Sequence, residues 1–402
     1  MDAEAGQIEN SPGSVVMIPP MIDARLSKLA DVLVNYSLQV KPGQLVAIQI
    51  PAIAAPLAEE CVRAVLQAGA NPSVRLVPDN LQEVMLRHAS DEQLAFTNPL
   101  WLHEAQVVDA RIAVWAETNT KGLSGYDAKK TALLSQGRKP ILSTTMSRAA
   151  EGQLNWVGTL YPTPSSAQDA EMGTREYAEF VFKAGLLDHP DPAASWRKLG
   201  EAQKRLIDFL HSKMAAGRTD YRVTAPNGTD LRMNLTGKTW VNCQGSHNFP
   251  DGEVFTGPDP KSVNGTIRYN NPAVYMGREC DGVELTFRDG KVVDAKAAKG
   301  EQFLHAMLDQ DEGARYIGEC AIGTNYGIQR FTKNTLFDEK IGGSVHFALG
   351  EGYPETGNTN KSGLHWDMVL DLRKGGEISI GGEVFSKAGR FTNPEFPQPQ
   401  AL

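Results

Sequence analysis

Apolar positions set the first part of the chain into a repeating order. In IDARLSKLADVLVNYS, Leu26, Leu29, Ala30 and Leu33 recur at helical spacing, and KPGQ then turns the chain into LVAIQI, an apolar run of strand length. A helix is predicted over residues 56–68, with Leu57, Cys61, Ala64 and Val65 on one side, and a strand over 73–77. The order repeats with helical text at 81–88 and 91–97, a strand at 110–116, helical text at 128–136 and a strand at 140–144. Strand and helix alternating with short links is the sequence form of a parallel sheet covered by helices. A long helix over 194–216 follows, with Leu199, Ala202, Leu206 and Leu210 on one stripe and Gly217 as its stop. Beyond it come short strands and hairpin turns, with Asn-Gly at Asn227 and Gly228 and Asp-Gly at Asp289 and Gly290. The pattern predicts an N-terminal parallel-sheet α/β domain over residues 21–218 and a C-terminal α+β domain over 219–402. Residues 1–20 are polar, contain Gly and Pro and lack periodicity, so a disordered tail is expected there.

Composition narrows the partners. A chain of 402 residues with 41% hydrophobic content is long enough for two cores. Its net charge of −8, with no run of Lys and Arg, speaks against a nucleic-acid surface, which needs a basic face to displace counterions. No apolar run reaches bilayer length, so no membrane partner is expected. The opening MDAEAGQIENSPGS lacks the cationic start and apolar middle of a secretory signal, and a cytoplasmic protein is expected. Cys61, Cys243, Cys280 and Cys320 stand far apart, which indicates neither a disulfide framework nor a zinc knuckle. The first strand-to-helix turn, IPAIAAP, has no glycine to approach a pyrophosphate, and no GxxxxGK occurs, so the first domain reads as scaffold rather than nucleotide site.

Candidate chemistry is concentrated between Gly318 and Asp371. There Glu319, Glu339, His346, Tyr353, His365 and Asp367 each lie beside a Gly or inside a short apolar run. Charged groups in such surroundings need a partner, and a divalent cation satisfies carboxylates and imidazoles together. In LHWDMVLDL, strand alternation puts His365, Asp367 and Val369 on one face and Trp366, Met368 and Leu370 on the other. SVHFAL reads as a buried strand delivering His346 to the same place. The Gly-rich loop between them carries Tyr353, which Pro354 drives toward extended backbone. Spacing alone leaves Tyr353 as packing aromatic or functional phenol, and leaves Glu253, in NFPDGEVFTGP, as a turn residue or a ligand. HExxH and GxSxG are both absent, which removes the mononuclear zinc-protease and nucleophile-elbow arrangements. His88, His211 and His305 fall on predicted helices as surface residues, while His247 lies close enough in sequence to line the site.

Taken together, FPDGEVFTGP, IGECAIGTN, NTLFDEKIGGSVHFALG, GYPETG and HWDMVLDL resemble, in order, the thermophilic aminopeptidase family of bacterial metallo-aminopeptidases (aminopeptidase T, aminopeptidase S and PepS type). The resemblance spans nearly all of the chain after its first twenty residues. It implies metal ligands at Glu253, Glu319, Glu339, His346, His365 and Asp367, with Glu319 bridging two ions, and a functional tyrosine at Tyr353. It further implies that the second domain is catalytic, that cobalt, zinc or magnesium is the activating ion, and that the protein is a homodimer removing N-terminal residues from peptides with a free amino end. A dimetal site could receive that amine on an ion or on a carboxylate such as Glu351 or Glu355. A dimetal hydrolase of another amide and a non-catalytic metal- or peptide-binding protein remain the alternatives.

Overall fold

Five parallel strands form the first sheet of the computed structural model, which describes residues 23–399. Their order is Asn71–Val77, Leu45–Pro51, Ala110–Trp115, Asn155–Leu160 and Asn248–Phe249. The chain is therefore α/β, as its periodicity implies, and the expected tail over residues 1–20 lies outside the described residues. One face of this sheet packs Val46, Ile48, Ile50, Ile112 and Val157 into a core with the helices Ala24–Asp31 and Ala55–Gln67. The Ala24–Asp31 helix starts where the Asp23 carboxylate accepts from Arg25 N, supplying one of the acceptors that a helix N-terminus lacks.

One sequence-based expectation fails here. Residues 140–144 are not a strand: they continue the helix Ala128–Ala150, with Pro140 inside it. The β-branched text PILSTT reads as a strand, but the Thr144 and Thr145 hydroxyls donate back to the carbonyls of Pro140 and Ile141, each at 2.9 Å, and so stay within the helix. The fourth strand is instead Asn155–Leu160, whose Gly158 and mixed polarity gave no clear period.

The helix Pro192–Ala215 joins the two halves. Trp196 and Leu199 on its first part belong to the core of the parallel sheet, and Leu206, Ile207 and Leu210 on its second part belong to the larger core beyond. That larger core lies between two antiparallel sheets. An eight-stranded sheet begins with the hairpin Asp220–Ala225 and Thr229–Asn234, turning at Asn227 and Gly228. A five-stranded sheet runs His365–Asp371, Ser344–Gly350, Ile317–Gly323, Glu253–Thr256, Val241–Cys243. Cys320, Ile322, Val345, Phe347, Trp366 and Met368 point from one of its faces into the core. Because side chains alternate along a strand, the residues between them face the opposite way.

Candidate metal centre

Register brings the polar residues of that opposite face together. Asp367 pairs with Ala348, Ala348 with Glu319, and His365 with Gly350, so Ala and Gly stand between the large polar side chains and leave a cleft. His346 pairs with Val369 and Ala321, one step along the same face. Glu253 opens its strand opposite Gly323, directly after Gly252, whose φ of +117° lies where a side chain is strained. A Cβ at Gly252 would also meet the Cβ of Asn325 at 2.7 Å. Glu339 arrives differently, as the residue that ends the short helix Thr335–Asp338, anchored by the buried Phe337.

All six expected residues meet. His346 Nε2 lies 3.5 Å from Glu253 Oε2, 3.6 Å from Glu319 Oε1 and 3.9 Å from Asp367 Oδ1. His365 Nε2 lies 3.3 Å from Glu319 Oε2 and 3.6 Å from Asp367 Oδ1. Drawn from these six residues alone, ligand atoms lie within 4.8 Å of one another in three sets that share members: Glu253, Glu319 and His346; Glu319, His365 and Asp367; and Glu339, His346 and Asp367. Each imidazole is oriented from behind. His346 Nδ1 hydrogen-bonds to the Glu339 carbonyl and His365 Nδ1 to the Glu351 carbonyl, both at 3.0 Å, which leaves Nε2 of each ring aimed at the carboxylates.

A residue that the sequence reading passed over completes the cluster. Lys340, fully buried, places its ammonium 3.4 Å from Glu253 Oε1 and in contact with Glu339. Burial works against its charge, yet Glu253, Glu339 and Asp251 outweigh that and raise its pKa well above the ordinary lysine value. The signal lay in FDEKIGG, where a lysine enters an apolar, Gly-rich segment beside a candidate ligand.

Electrostatics follow from burial and proximity. Burial pushes the Glu253 carboxyl up to about 8 and raises that of Glu339. Burial also works against the Glu319 and Asp367 carboxylates, but the imidazoles beside them prevail, lowering Glu319 and bringing Asp367 to about 2. Burial disfavours both imidazolium ions as well, and the carboxylates overcome it, raising His346 to about 10 and His365 to about 12. Glu253 Oε2, His346 Nε2 and Asp367 Oδ1 are buried without a hydrogen-bond partner. Buried polar atoms normally have partners, and a cation held by oxygen and imidazole donors would supply one for all three. The residues therefore fit a divalent ion.

Around this cluster the other candidates divide. The Tyr353 ring packs edge-on against His365, with centroids 5.2 Å apart, at the exposed lip of the cleft. Burial of its hydroxyl end, with Glu319 and Asp367 near, raises the phenol pKa, so it stays a donor. The Glu351 carboxylate is held by Lys361 and the Ser362 amide, whereas Glu355 is exposed. His247 is exposed and packs on Trp156 at 5.0 Å between centroids, on the parallel sheet. His211 is not a bare surface residue: its Nε2 accepts from the Trp240 amide at 3.1 Å.

Comparison with known proteins finds relatives over most of the chain. Residues 22–391 match the family described as thermophilic metalloprotease (M29). Aminopeptidase T of Thermus aquaticus is 29% identical over 384 residues, covering 88% of this chain and 90% of its own. Aminopeptidase 2 of Geobacillus stearothermophilus is 28% identical over 354 residues, covering 83% and 84%. Among solved structures, wild-type AmpT from Thermus thermophilus superposes with a TM-score of 0.78 at 25% identity, over 92% of this chain and 99% of its own. A 2,5-dihydroxypyridine dioxygenase from Pseudomonas putida KT2440 superposes with a TM-score of 0.57 at 15% identity over 94% of this chain, a likeness of fold alone.

Proposed function

This chain belongs to the thermophilic metalloprotease (M29) family, and from that premise we propose that it is a metal-dependent aminopeptidase, releasing N-terminal residues from peptides with a free amino end. The relatives named aminopeptidase T and aminopeptidase 2 support the direction of cleavage. The observation that carries the reading is the meeting of Glu253 Oε2, His346 Nε2 and Asp367 Oδ1, buried and unpartnered, in one cleft.

We read the centre as holding two divalent ions, through Glu253, Glu319, Glu339, His346, His365 and Asp367. Glu319 would contribute to both, because Oε1 faces His346 and Oε2 faces His365. Carboxylate oxygens with two imidazoles and no thiolate suit zinc, cobalt or magnesium. Such ions, when bound, polarise the substrate carbonyl and lower the pKa of water at the site. The side chains do the rest. Lys340 balances the charge of Glu253 and Glu339 and fixes their positions, while the backbone carbonyls of Glu339 and Glu351 keep both imidazoles in the tautomer that faces inward. Tyr353, protonated at neutral pH, donates to the oxygen that gains charge as the peptide carbonyl becomes tetrahedral. Glu355, exposed beside it, is the acid available to the substrate amine.

The reading extends to the whole protein as an N-terminal scaffold domain over 21–218 and a catalytic domain over 219–402, a division supported by the separate apolar cores. It includes a homodimer in the cytoplasm, which the motif resemblance supports. Among the described residues no helix is long and apolar enough to cross a membrane. The test is a pair of peptides of one sequence, one with a free and one with an acetylated amino end, given to the metal-loaded protein. Sequential release of residues from the free peptide alone is expected. Equal cleavage of both would favour a general amidase.

A further inference from the structure

Parallel sheets are usually covered on both faces by apolar side chains. Here one face obeys throughout, while the other is apolar around Ala47, Val108 and Leu154 and polar from Gln49 onward. Register sets Gln49 beside Arg75, and Arg111 beside Trp156. Arg75 and Arg111 both donate to Gln49 Oε1, at 2.8 and 2.5 Å. Arg75 has an ion pair with Glu104 at 3.1 Å and lies over the Trp101 ring, 4.7 Å from its centroid. Arg111 has no ion pair among the described residues, and Arg138, on the facing helix Ala128–Ala150, has neither an ion pair nor a side-chain hydrogen bond among them. Both are half-buried, and burial lowers the pKa of each.

These arginines line a cavity of about 620 Å³, walled elsewhere by Trp101, Trp156, Leu142 and Met146. A second cleft of about 400 Å³, which also borders Gln49 and Ala113, opens at the carboxyl ends of Leu45–Pro51 and Ala110–Trp115. These strands lie where the order reverses, since Asn71–Val77 sits on one side of Leu45–Pro51 and Ala110–Trp115 on the other. Open α/β sheets bind ligands at such a switch point. The volume is also that of a small-molecule site, mostly apolar with a few converging polar groups.

We propose that this cavity is a second binding site, separate from the metal centre, for a carboxylate carried on an apolar stem. Half-buried guanidinium groups without an acid gain most from an anion, and their planar donor fork matches a carboxylate. Trp101, Leu142 and Met146 supply the wall for the stem. A polyphosphate fits less well: the turn after the first strand has no glycine to expose amides, and Asp79, Glu83 and Glu117 line the adjoining cleft. A free amino acid fits less well too, because Glu104 is already taken by Arg75 and its ammonium would be left without an acid. The same chemistry has two sources, a free alkyl acid and the carboxyl end of a peptide.

Octanoate and acetyl-Ala-Leu-Phe with a free carboxyl end, together with the corresponding amides, are titrated by calorimetry into the metal-loaded protein and into Arg138→Gln and Leu142→Asp. Arg138 holds no partner and Leu142 is exposed, so both variants are expected to fold. At least one acid should bind, with its amide weaker by about tenfold and each variant weakening the acid by about tenfold, the scale of one charged hydrogen bond. Binding of octanoate alone identifies a free acid as the source, and binding of the peptide alone a chain terminus. Absence of binding by both acids up to about 10 mM, equal binding of acid and amide, or unchanged affinity in either variant overturns the proposal.

Discussion

The two imidazoles of the metal centre share an arrangement but not an exposure. His346 sits within a fully buried strand, while His365 stands at the cleft mouth under Tyr353. Neighbouring carboxylates raise their pKa values, to about 10 for His346 and about 12 for His365, so in the metal-free protein both carry a proton at neutral pH. A raised folded-state pKa stabilises fully below the ordinary histidine value, and that contribution is lost as pH rises through about 10 and about 12. Metal ligation needs the neutral rings, so uptake must release protons. Apparent affinity is expected to rise more than about tenfold per pH unit between about pH 6 and about pH 8, measured by competition with a chelator of known pH dependence. A flat profile contradicts this assignment of protons. At Tyr353, replacement by Phe should lower kcat by about 10² to 10³, with metal content and KM close to wild type, as for loss of one oxyanion donor. Unchanged kcat would reduce Tyr353 to packing, and a lost ion would make it a holder of metal.

At the scale of elements, one strand delivers two of the six acids and imidazoles. His365 and Asp367 were legible because a period of two on a strand with one buried face fixes which side chains point together. His346 was legible for the same reason. Glu339 and Glu253 were not legible from periodicity, since one ends a short helix and the other follows a turn at Gly252: Glu339 stood out only by its place in an apolar, Gly-rich segment, and Glu253 only by motif resemblance. Lys340 escaped altogether, because lysine is rarely buried and, apart from the adjacent Glu339, the acids that hold its charge, Glu253 and Asp251, lie far away in sequence. The strand Asn155–Leu160 was hidden by Gly158, and the helix Ala128–Ala150 by Pro140 and its β-branched residues. Since His365 and Asp367 act from one strand face, His365→Ala and Asp367→Ala should each lose metal, and the double variant should be scarcely worse than either. Additive losses of affinity, read by titration of metal into each variant, would mean separate tasks. Gln203 tests the support of the Glu253 strand: its amide on the long helix reaches the carbonyls of Glu253 and Cys243 and the Thr324 hydroxyl, at 2.9 to 3.1 Å. Gln203→Leu should destabilise the fold by about 1 to 3 kcal/mol in urea unfolding, because it leaves buried acceptors without donors. No change would show those acceptors to be satisfied otherwise.

For the whole molecule, the long helix Pro192–Ala215 ties two cores into one body, and the strand Asn248–Phe249, shortly before Glu253, is the last strand of the parallel sheet. The chain thus enters the candidate metal centre directly from the parallel sheet. The alternation of strand and helix made the first half readable as a class, and the Asn-Gly and Asp-Gly turns did the same for the second. The pairing of distant strands that brings Glu253 to His346 required the fold itself. The central claim is that this buried cluster acts on peptides through bound divalent ions. Its most direct test is hydrolysis of an unblocked peptide by protein stripped of metal, with the residual metal measured by elemental analysis, before and after zinc, cobalt or magnesium is returned. Cleavage should be lost on stripping and recovered on addition of at least one of these ions, whereas full cleavage by exhaustively stripped protein would contradict a role for bound metal.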